Sequence, residues 1–204
     1  YKVQVLGREF VVNPGVFSPR YFADTKIFAR MVPVENEDLF LEIGCGIGAI
    51  GILAVLRGAK RVLETDISRK AVRTAKDNVA LHELEGIVEV RQGDMFSPLK
   101  RGEHFNKIFW NVPFGYVTRR HLTLLERTVF DYRYEHIQKY LLGAKSYLLP
   151  GGRIFIGFSS TLGRLDILSQ MAKLAESRLA LIGQQESREG RLRVKFELFE
   201  VLRF

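Results

Sequence analysis

The feature that most constrains the fold is a short segment in which a buried strand runs into a glycine-rich turn and then into a helix. Residues 39–43 are apolar apart from one acid, and glycine occupies every second position of residues 44–48. Apolar residues at helical spacing then follow over residues 49–58. Glycine permits a tight turn and lets backbone N–H groups approach a ligand, so this segment predicts an α/β fold with a nucleotide-type site.

The turn by itself is compatible with two kinds of ligand. Gly44-x-Gly46-x-x-Ala49 fits the looser dinucleotide pattern, and that interpretation would make the protein an NAD-dependent oxidoreductase. Such an enzyme also needs a catalytic Tyr-Lys pair, a histidine or a second domain, and we can place none of these in the sequence.

Residues 41–48 resemble the first motif of the class I S-adenosylmethionine (SAM) methyltransferases, in which the loop surrounds the methionine and ribose portions of SAM. The resemblance implies a cofactor-binding loop formed by Glu42, Gly44, Cys45, Gly46 and Gly48. We interpret Cys45, the single cysteine, as a small residue that fills the tight loop rather than as a redox group.

The next strand, predicted over residues 61–66, ends in a second candidate cofactor ligand, Asp66. An acid at this position accepts hydrogen bonds from ribose hydroxyls in dinucleotide sites. The resemblance gives Asp66 the same role with SAM, and places Ile67 beside it. Glu64 competes for this role, but the run Asp-Ile-Ser matches the family better.

Ser68 is expected to cap a helix with an apolar face of Ala71, Val72, Ala75 and Val79.

A third strand, predicted over residues 86–91, leads into a turn that contains Asp94 and Met95. In the family, the acid of this turn accepts a hydrogen bond from the adenine amino group, and the backbone of the next residue meets the ring. The resemblance therefore implies that Asp94 and Met95 bind the adenine of SAM.

The fourth strand, predicted over residues 107–110, ends in Asn111-Val112-Pro113-Phe114, the most specific chemical signal in the sequence. This run of candidate catalytic residues is similar to the Asn-Pro-Pro-Tyr/Phe motif of methyltransferases that act on planar nitrogens. An amide or exocyclic amine is a poor nucleophile because its lone pair is delocalised. The Asn111 side-chain oxygen and the Val112 carbonyl are expected to accept its N–H groups, while Phe114 stacks on the planar group.

The motif departs from the family at Val112, where proline is usual. Pro113 still stiffens the turn and pushes the preceding residue towards an extended conformation, which orients the Val112 carbonyl. The role expected of that carbonyl survives the change. The departure also leaves open a non-catalytic SAM-fold subunit that serves a partner protein.

The N-terminal part is expected to cover the pocket. We expect residues 1–24 to form a hairpin followed by a pocket-covering segment, and residues 25–204 to form the methyltransferase domain as one globular unit. The segment over residues 13–25 resembles the one that covers the SAM pocket in release-factor glutamine methyltransferases and small-domain RNA N-methyltransferases. A helix is predicted to follow it and to end before Pro33.

Two classes of methyl acceptor remain open. A net charge of +8, Phe114, and the cluster of Arg119 and Arg120 favour an RNA base amine. The covering segment favours the glutamine side chain of a translation factor. Phe17 in that segment is a further candidate contact for the acceptor.

The second half of the chain is predicted to complete the sheet. The apolar spacing and turn residues predict a long helix with a stripe from Ile137 to Leu148, a turn at 149–152, a strand over 153–158, a helix over about 162–175, and strands over 179–183 and 193–204 around a polar turn at 184–191.

Composition places the chain among ordinary globular proteins. At 204 residues, with 47% hydrophobic and 26% charged residues, one domain with a sizeable core is expected. No apolar run reaches membrane-spanning length, no signal peptide is visible, and the lone cysteine fits a reducing compartment, so a cytoplasmic protein is expected. The four histidines show no metal-ligand spacing, and no metal is expected.

These elements predict an α/β, Rossmann-like class I methyltransferase fold, with helices on both faces of a mostly parallel seven-stranded sheet whose last strand is antiparallel. Ligands of open α/β sheets gather at the carboxyl ends of the strands. Glu42, Asp66, Asp94 and Asn111 are therefore expected to converge there.

Overall fold

A seven-stranded sheet with two layers of helices forms the body of the protein, and a small two-stranded hairpin lies at its N-terminal end. The structure is a computed structural model and describes residues 1–203. In chain order the elements are β1 (Lys2–Val5), β2 (Arg8–Val11), α1 (Asp24–Met31), β3 (Leu39–Ile43), α2 (Ala49–Val55), β4 (Arg61–Asp66), α3 (Arg69–Leu81), β5 (Val88–Gln92), β6 (Phe105–Asn111), β7 (Gly115–Val117), β8 (Phe130–Tyr132), α4 (Glu135–Gly143), β9 (Leu148–Phe158), α5 (Leu165–Leu174), β10 (Ser177–Glu189) and β11 (Leu192–Arg203).

The strand order of the main sheet is β10-β11-β9-β6-β3-β4-β5. The five strands from β9 to β5 pair in parallel, whereas β11 is antiparallel to both of its neighbours. This arrangement confirms the predicted fold class. The chain moves outward from β3 to β5 and then returns to β6 on the other side of β3, so the order reverses at the β3–β6 boundary.

Each face of the sheet has its own apolar core. The cluster on one face joins α1, α2 and α3 to the N-terminal hairpin, and the cluster on the other face joins α4 and α5 to the sheet. Asn78 of α3 anchors the hairpin, because its side chain accepts the Val11 N–H at 2.7 Å and donates to the Val11 carbonyl at 2.9 Å. The same amide donates to the Ile47 carbonyl at 2.8 Å and so links the hairpin to the glycine turn.

Several local predictions are confirmed. Residues 2–11 form the expected antiparallel hairpin, and the helix after the covering segment ends at Met31, before Pro33. Ser68 caps α3 by accepting the Ala71 N–H at 3.4 Å. All four residues predicted for the apolar face of that helix are buried.

The prediction of one long helix up to Leu148 is wrong. The α-helix ends at Gly143, a short 3-10 helix covers Ala144–Tyr147, and Leu148 already belongs to β9. Glycine is a poor helix former, and a Cβ at position 143 would lie 2.9 Å from the Phe96 ring. Residues 149–152 form an irregularity within β9, where the register with β6 shifts, rather than a turn before it.

The polar turn predicted at 184–191 is also wrong. β10 continues to Glu189, and only Gly190 and Arg191 separate it from β11. β9 pairs with only Glu197–Glu200 of β11, so the outer part of this hairpin extends beyond β9 as a two-stranded ribbon. Its residues are polar because the ribbon is largely exposed. Smaller boundary shifts include later starts for β5, at Val88, and α5, at Leu165, and earlier starts for β6, at Phe105, and β10, at Ser177.

Tyr140 gives a direct test of the packing between α4 and the sheet. Its side chain is fully buried, and its hydroxyl lies 2.8 Å from the Phe155 carbonyl and 3.2 Å from the Ile108 carbonyl. Tyr140→Phe is expected to lower the free energy of unfolding by about 1–2 kcal/mol, because buried carbonyls lose their donor. Urea denaturation measures this loss.

Tyr147→Phe is the matched control for that experiment. Tyr147 is half-buried and stacks on Phe96, and its hydroxyl makes no hydrogen bond to any residue in 1–203. An equal loss of stability in both variants would contradict the assigned role of the Tyr140 hydroxyl.

Candidate functional site

A cleft of about 500 Å³ lies at the carboxyl ends of β3, β4 and β6. The covering segment and the stretch between β7 and β8 also contribute to its walls. The four polar residues that were expected to converge all line this one cleft: Glu42, Asp66, Asp94 and Asn111. The strand order therefore brings together residues that lie far apart in the sequence.

The glycine turn after β3 has a backbone that requires glycine. Gly44, Gly46 and Gly48 all have positive φ angles, of 65°, 57° and 76°. A Cβ at Gly44 would also lie 2.9 Å from the indole nitrogen of Trp110. Cys45, between Gly44 and Gly46, is buried. It donates its N–H to the Thr65 carbonyl at 3.0 Å, and burial raises the pKa of its thiol. The thiol is therefore not poised to ionise, in agreement with the interpretation of Cys45 as a small filling residue.

The structure separates the two acids that competed at the end of β4. Asp66 lines the cleft, where its carboxylate accepts the Gly46 N–H at 3.0 Å and the Ser68 N–H at 2.8 Å. A carboxylate has about four acceptor positions, so lone pairs remain for a ligand. Glu64 instead is fully buried beneath Gly48 and is not part of the lining.

Glu42 and Glu64 form a pair of buried acids behind the glycine turn. They lie opposite each other in the β3–β4 register, and Glu42 accepts the Gly51 N–H at 2.8 Å. Within residues 1–203, neither carboxyl oxygen of Glu64 has a hydrogen-bond partner. Burial, and then the proximity of the other acids, raises the pKa of both carboxyls, in Glu42 to about 8.

The turn after β5 forms another part of the wall. Asp94 is exposed there, and its carboxylate lies 3.9 Å from the ammonium group of Lys139. Met95 is half-buried with a φ of 52°, a left-handed conformation that is uncommon for a residue other than glycine. Ile67, the remaining predicted cofactor contact, lines the cleft with 37% of its surface exposed.

The Asn-Val-Pro-Phe run leaves β6 at the edge of the cleft. The Asn111 side chain donates to the carboxylate of Asp24 at 2.8 Å, and its oxygen is buried with no hydrogen-bond partner in the described residues. Val112 and Pro113 are buried, and the Val112 N–H is bound to the Gly157 carbonyl at 3.2 Å. The chain after β6 is thus held while an acceptor oxygen of Asn111 remains free.

Phe114 is fixed by contacts on its backbone and its ring. Its carbonyl accepts a hydrogen bond from the buried Tyr134 hydroxyl at 2.5 Å. Its half-buried ring packs edge-on against Phe158 with 6.0 Å between centroids, and it lines the cleft. Tyr134 lies outside any motif, so its contact with this loop had no signal in the sequence.

The residues predicted to bind the acceptor are not all in one place. Phe17 lines the cleft and stacks on Phe22 with 5.4 Å between ring centroids, and Arg120 also lines it. Arg119 instead forms an ion pair with Glu126 and is not part of the lining.

Sequence reasoning missed several residues of the cleft. Asp24 was not predicted as a site residue, although an acid after the proline-rich segment was a usable signal. The other missed residues belong to a stretch with no motif: Arg127, Asp131, Tyr132, His136 and Lys139.

Among residues 1–203, no helix combines the length and apolar character needed to cross a membrane. In the same residues, no group of three or more His, Cys, Asp or Glu side chains is arranged to hold a metal ion.

Comparison with known proteins gives a family match and related sequences. The family described as "Methyltransferase small domain" matches residues 7–178. One relative is a Methanocaldococcus jannaschii protein that is provisionally named a protein N5-glutamine methyltransferase. It is 27% identical over 98% of this chain and 96% of its own length. The release factor glutamine methyltransferase of Aquifex aeolicus is 33% identical over 54% of this chain.

Most of these matches cover only part of the relative's own sequence. The chain spans 40% of the Aquifex aeolicus protein and 21% of the ribosomal protein L11 methyltransferases that it matches. Among solved structures, the Thermus thermophilus 16S rRNA N2 G1207 methyltransferase, in complex with AdoMet and guanosine, superposes with a TM-score of 0.64 at 18% identity. That likeness covers 100% of this chain and 50% of the other, and it supports the fold.

The buried Glu42 predicts a pH dependence of stability. In the unfolded chain its carboxyl titrates at the ordinary pKa of 4.5, whereas in the folded chain the pKa is raised to about 8. The folded state binds this proton more tightly than the unfolded chain does. The stabilisation that results is fully present below the pKa of the unfolded chain, and it is lost as the pH rises through the pKa of the folded chain. Glu42→Gln retains an oxygen for the Gly51 N–H but cannot ionise.

Urea denaturation of both proteins at about pH 5 and about pH 8 measures the effect. We expect the variant to gain stability relative to the wild type as the pH rises, by at least about 1 kcal/mol. A difference between the two proteins that stays constant with pH would show that Glu42 does not titrate in this range.

Proposed function

The chain belongs to the methyltransferase small domain family, and we propose that it transfers a methyl group from SAM to a planar nitrogen of a protein or an RNA. The observation that carries this proposal is the buried, unpartnered side-chain oxygen of Asn111, in the cleft that also contains the glycine turn. The comparisons support neither the oxidoreductase interpretation nor the non-catalytic subunit.

The residues of the cleft fit SAM. A volume of about 500 Å³ lies in the range of small-molecule sites. Gly44 and Gly46 leave the turn without side chains, and Asp66 retains free lone pairs for ribose hydroxyls. We propose that these residues, with Glu42, Cys45 and Gly48, hold the methionine and ribose portions, and that Ile67, Asp94 and Met95 contact the adenine.

The chemistry follows from the residues at the end of β6. When bound, SAM supplies an electrophilic methyl group on a sulfonium. We propose that the Asn111 oxygen and the Val112 carbonyl accept the N–H groups of the methyl acceptor, which localises electron density on its nitrogen and orients it. Pro113 orients that carbonyl, and the Phe114 ring at the cleft offers a face for the planar group.

Two acceptors remain within this proposal, and each has its own support. A glutamine side chain of a protein is favoured by the Methanocaldococcus jannaschii relative, which matches nearly the whole chain. An RNA base amine is favoured by the net charge of +8 and by the cations that line the cleft, Arg120, Arg127 and Lys139.

Labelled methyl transfer to a cell lysate separates the two acceptors. The purified protein and radiolabelled SAM are incubated with lysate that has been treated with ribonuclease, with protease or with neither. Loss of label after protease alone identifies a protein acceptor, and loss after ribonuclease alone identifies RNA. Absence of any label above the background of Asn111→Ala, together with no SAM binding in calorimetry, would refute the proposed activity.

The variant Asn111→Ala tests the residue that carries the proposal. It removes the free oxygen but leaves the glycine turn and Asp66 in place. We expect SAM affinity to stay within about threefold of the wild type and the rate of methyl transfer to fall at least about a hundredfold, as when one preorganised hydrogen-bonding group is removed. Calorimetry and an initial-rate assay provide the two measurements, and an unchanged rate would exclude Asn111 from the mechanism.

A further inference from the structure

One carboxylate that lines the cleft has no role in the proposed mechanism. Asp24 is the first residue of α1, only 4% of its surface is exposed, and one of its oxygens accepts the Asn111 side-chain N–H at 2.8 Å. The other oxygen of Asp24 is buried and has no hydrogen-bond partner among residues 1–203, and the same is true of the Asn111 oxygen.

The pairing determines which end of the Asn111 amide faces the cleft. The oxygen and the NH₂ of an asparagine have nearly the same shape, so a free side chain can present either of them. An ionised carboxylate only accepts hydrogen bonds, so Asp24 binds the NH₂ end and leaves the oxygen free. If the amide were reversed, two acceptor oxygens would face each other, and a donor would point into the acceptor site.

The surroundings of Asp24 hold its carboxylate in place. Burial, together with the nearby charge of Glu189, raises the pKa of Asp24, and the hydrogen bonds from Asn111 and from the Thr25 backbone lower it and offset part of that rise. The residue before it, Ala23, donates its N–H to Glu189 of the β10–β11 hairpin at 3.1 Å, which fixes the start of α1. The position of the carboxylate is thus set from outside the cleft.

We propose that Asp24 is a positioning residue for methyl transfer: it fixes the Asn111 amide so that the oxygen, and not the NH₂, faces the methyl acceptor. This inference rests on the proposed methyl transfer. It assigns to the covering segment a contribution to the acceptor side of the site, in addition to any contact with SAM. It also predicts that the site accepts a nitrogen only if that nitrogen carries N–H.

Nuclear magnetic resonance tests the pairing without any turnover. In the ¹⁵N-labelled protein, the side-chain amide signals of Asn111 are assigned from their loss in Asn111→Asp. We expect Asp24→Ala to shift these signals and to speed their hydrogen exchange at least tenfold, whereas Asp24→Asn, which retains an acceptor oxygen, preserves them. Unchanged signals in Asp24→Ala would overturn the proposal even if the protein transferred no methyl group.

Kinetics test the consequence. Asp24→Ala is expected to lower kcat at least tenfold and to leave SAM affinity within threefold of the wild type, because the turn and Asp66 are untouched. Asp24→Asn should retain kcat within fivefold. Lys26→Ala, on the same helix, controls for general damage to α1. A loss of SAM affinity with unchanged kcat would assign the carboxylate to the cofactor and overturn the proposal, as would an Asp24→Asn variant as slow as Asp24→Ala.

A charge-swapped double variant provides the sharpest test. Asn111→Asp alone places two acceptors against each other, and its kcat should fall at least a hundredfold. Combined with Asp24→Asn, the donor and acceptor are exchanged, and an oxygen again faces the cleft. We expect the double variant to recover at least tenfold in kcat over Asn111→Asp. Failure to recover, in a protein that still binds SAM, would show that orientation of the residue at 111 is not what Asp24 provides.

Discussion

The parallel pairing of β3 with β4 on one side and β6 on the other is the constraint on which the site depends. In this register Ile43 lies opposite both Thr65 and Trp110, so β3, β4 and β6 end at the same edge of the sheet. The glycine turn, Asp66 and Asn111 directly follow or end these strands and therefore share one edge. A slip of one residue would turn every side chain to the opposite face and would disperse the site.

The parts of the site that the sequence predicted are those with a local cause. The glycine turn is visible because positive φ angles require glycine, and Asp66 and Asn111 are visible because they end apolar strands. The contact between Asp24 and Asn111 joins residues 87 positions apart, and no spacing rule reports it. The polar ribbon of β10 was mistaken for a turn because exposed strands and turns have similar compositions.

The buried acids show a different limit of sequence reasoning. Glu64 was a plausible ligand by position, but it lies one turn of the pleat before the end of β4, opposite Glu42, where the glycine turn and the start of α2 cover it. Among residues 1–203, no cation pairs with either carboxyl; two such acids are costly to bury, and burial raises the pKa of both. Gly48 and Gly51, which have no side chains, make room for Glu64 directly behind the turn. Stability is reduced next to the very loop that forms the site, a common pattern where function constrains packing.

The long β10–β11 hairpin has a consequence for the order in which the protein is made. Glu189 of this hairpin supports the start of α1 through Ala23, and Phe196 lines the cleft. The ribosome adds both residues after it has added every strand of the parallel part of the sheet. A nascent chain that has already paired β3, β4 and β6 still lacks this support until residue 189 leaves the exit tunnel. The contact that supports the start of α1 therefore joins the fold only after the parallel part of the sheet has been synthesised.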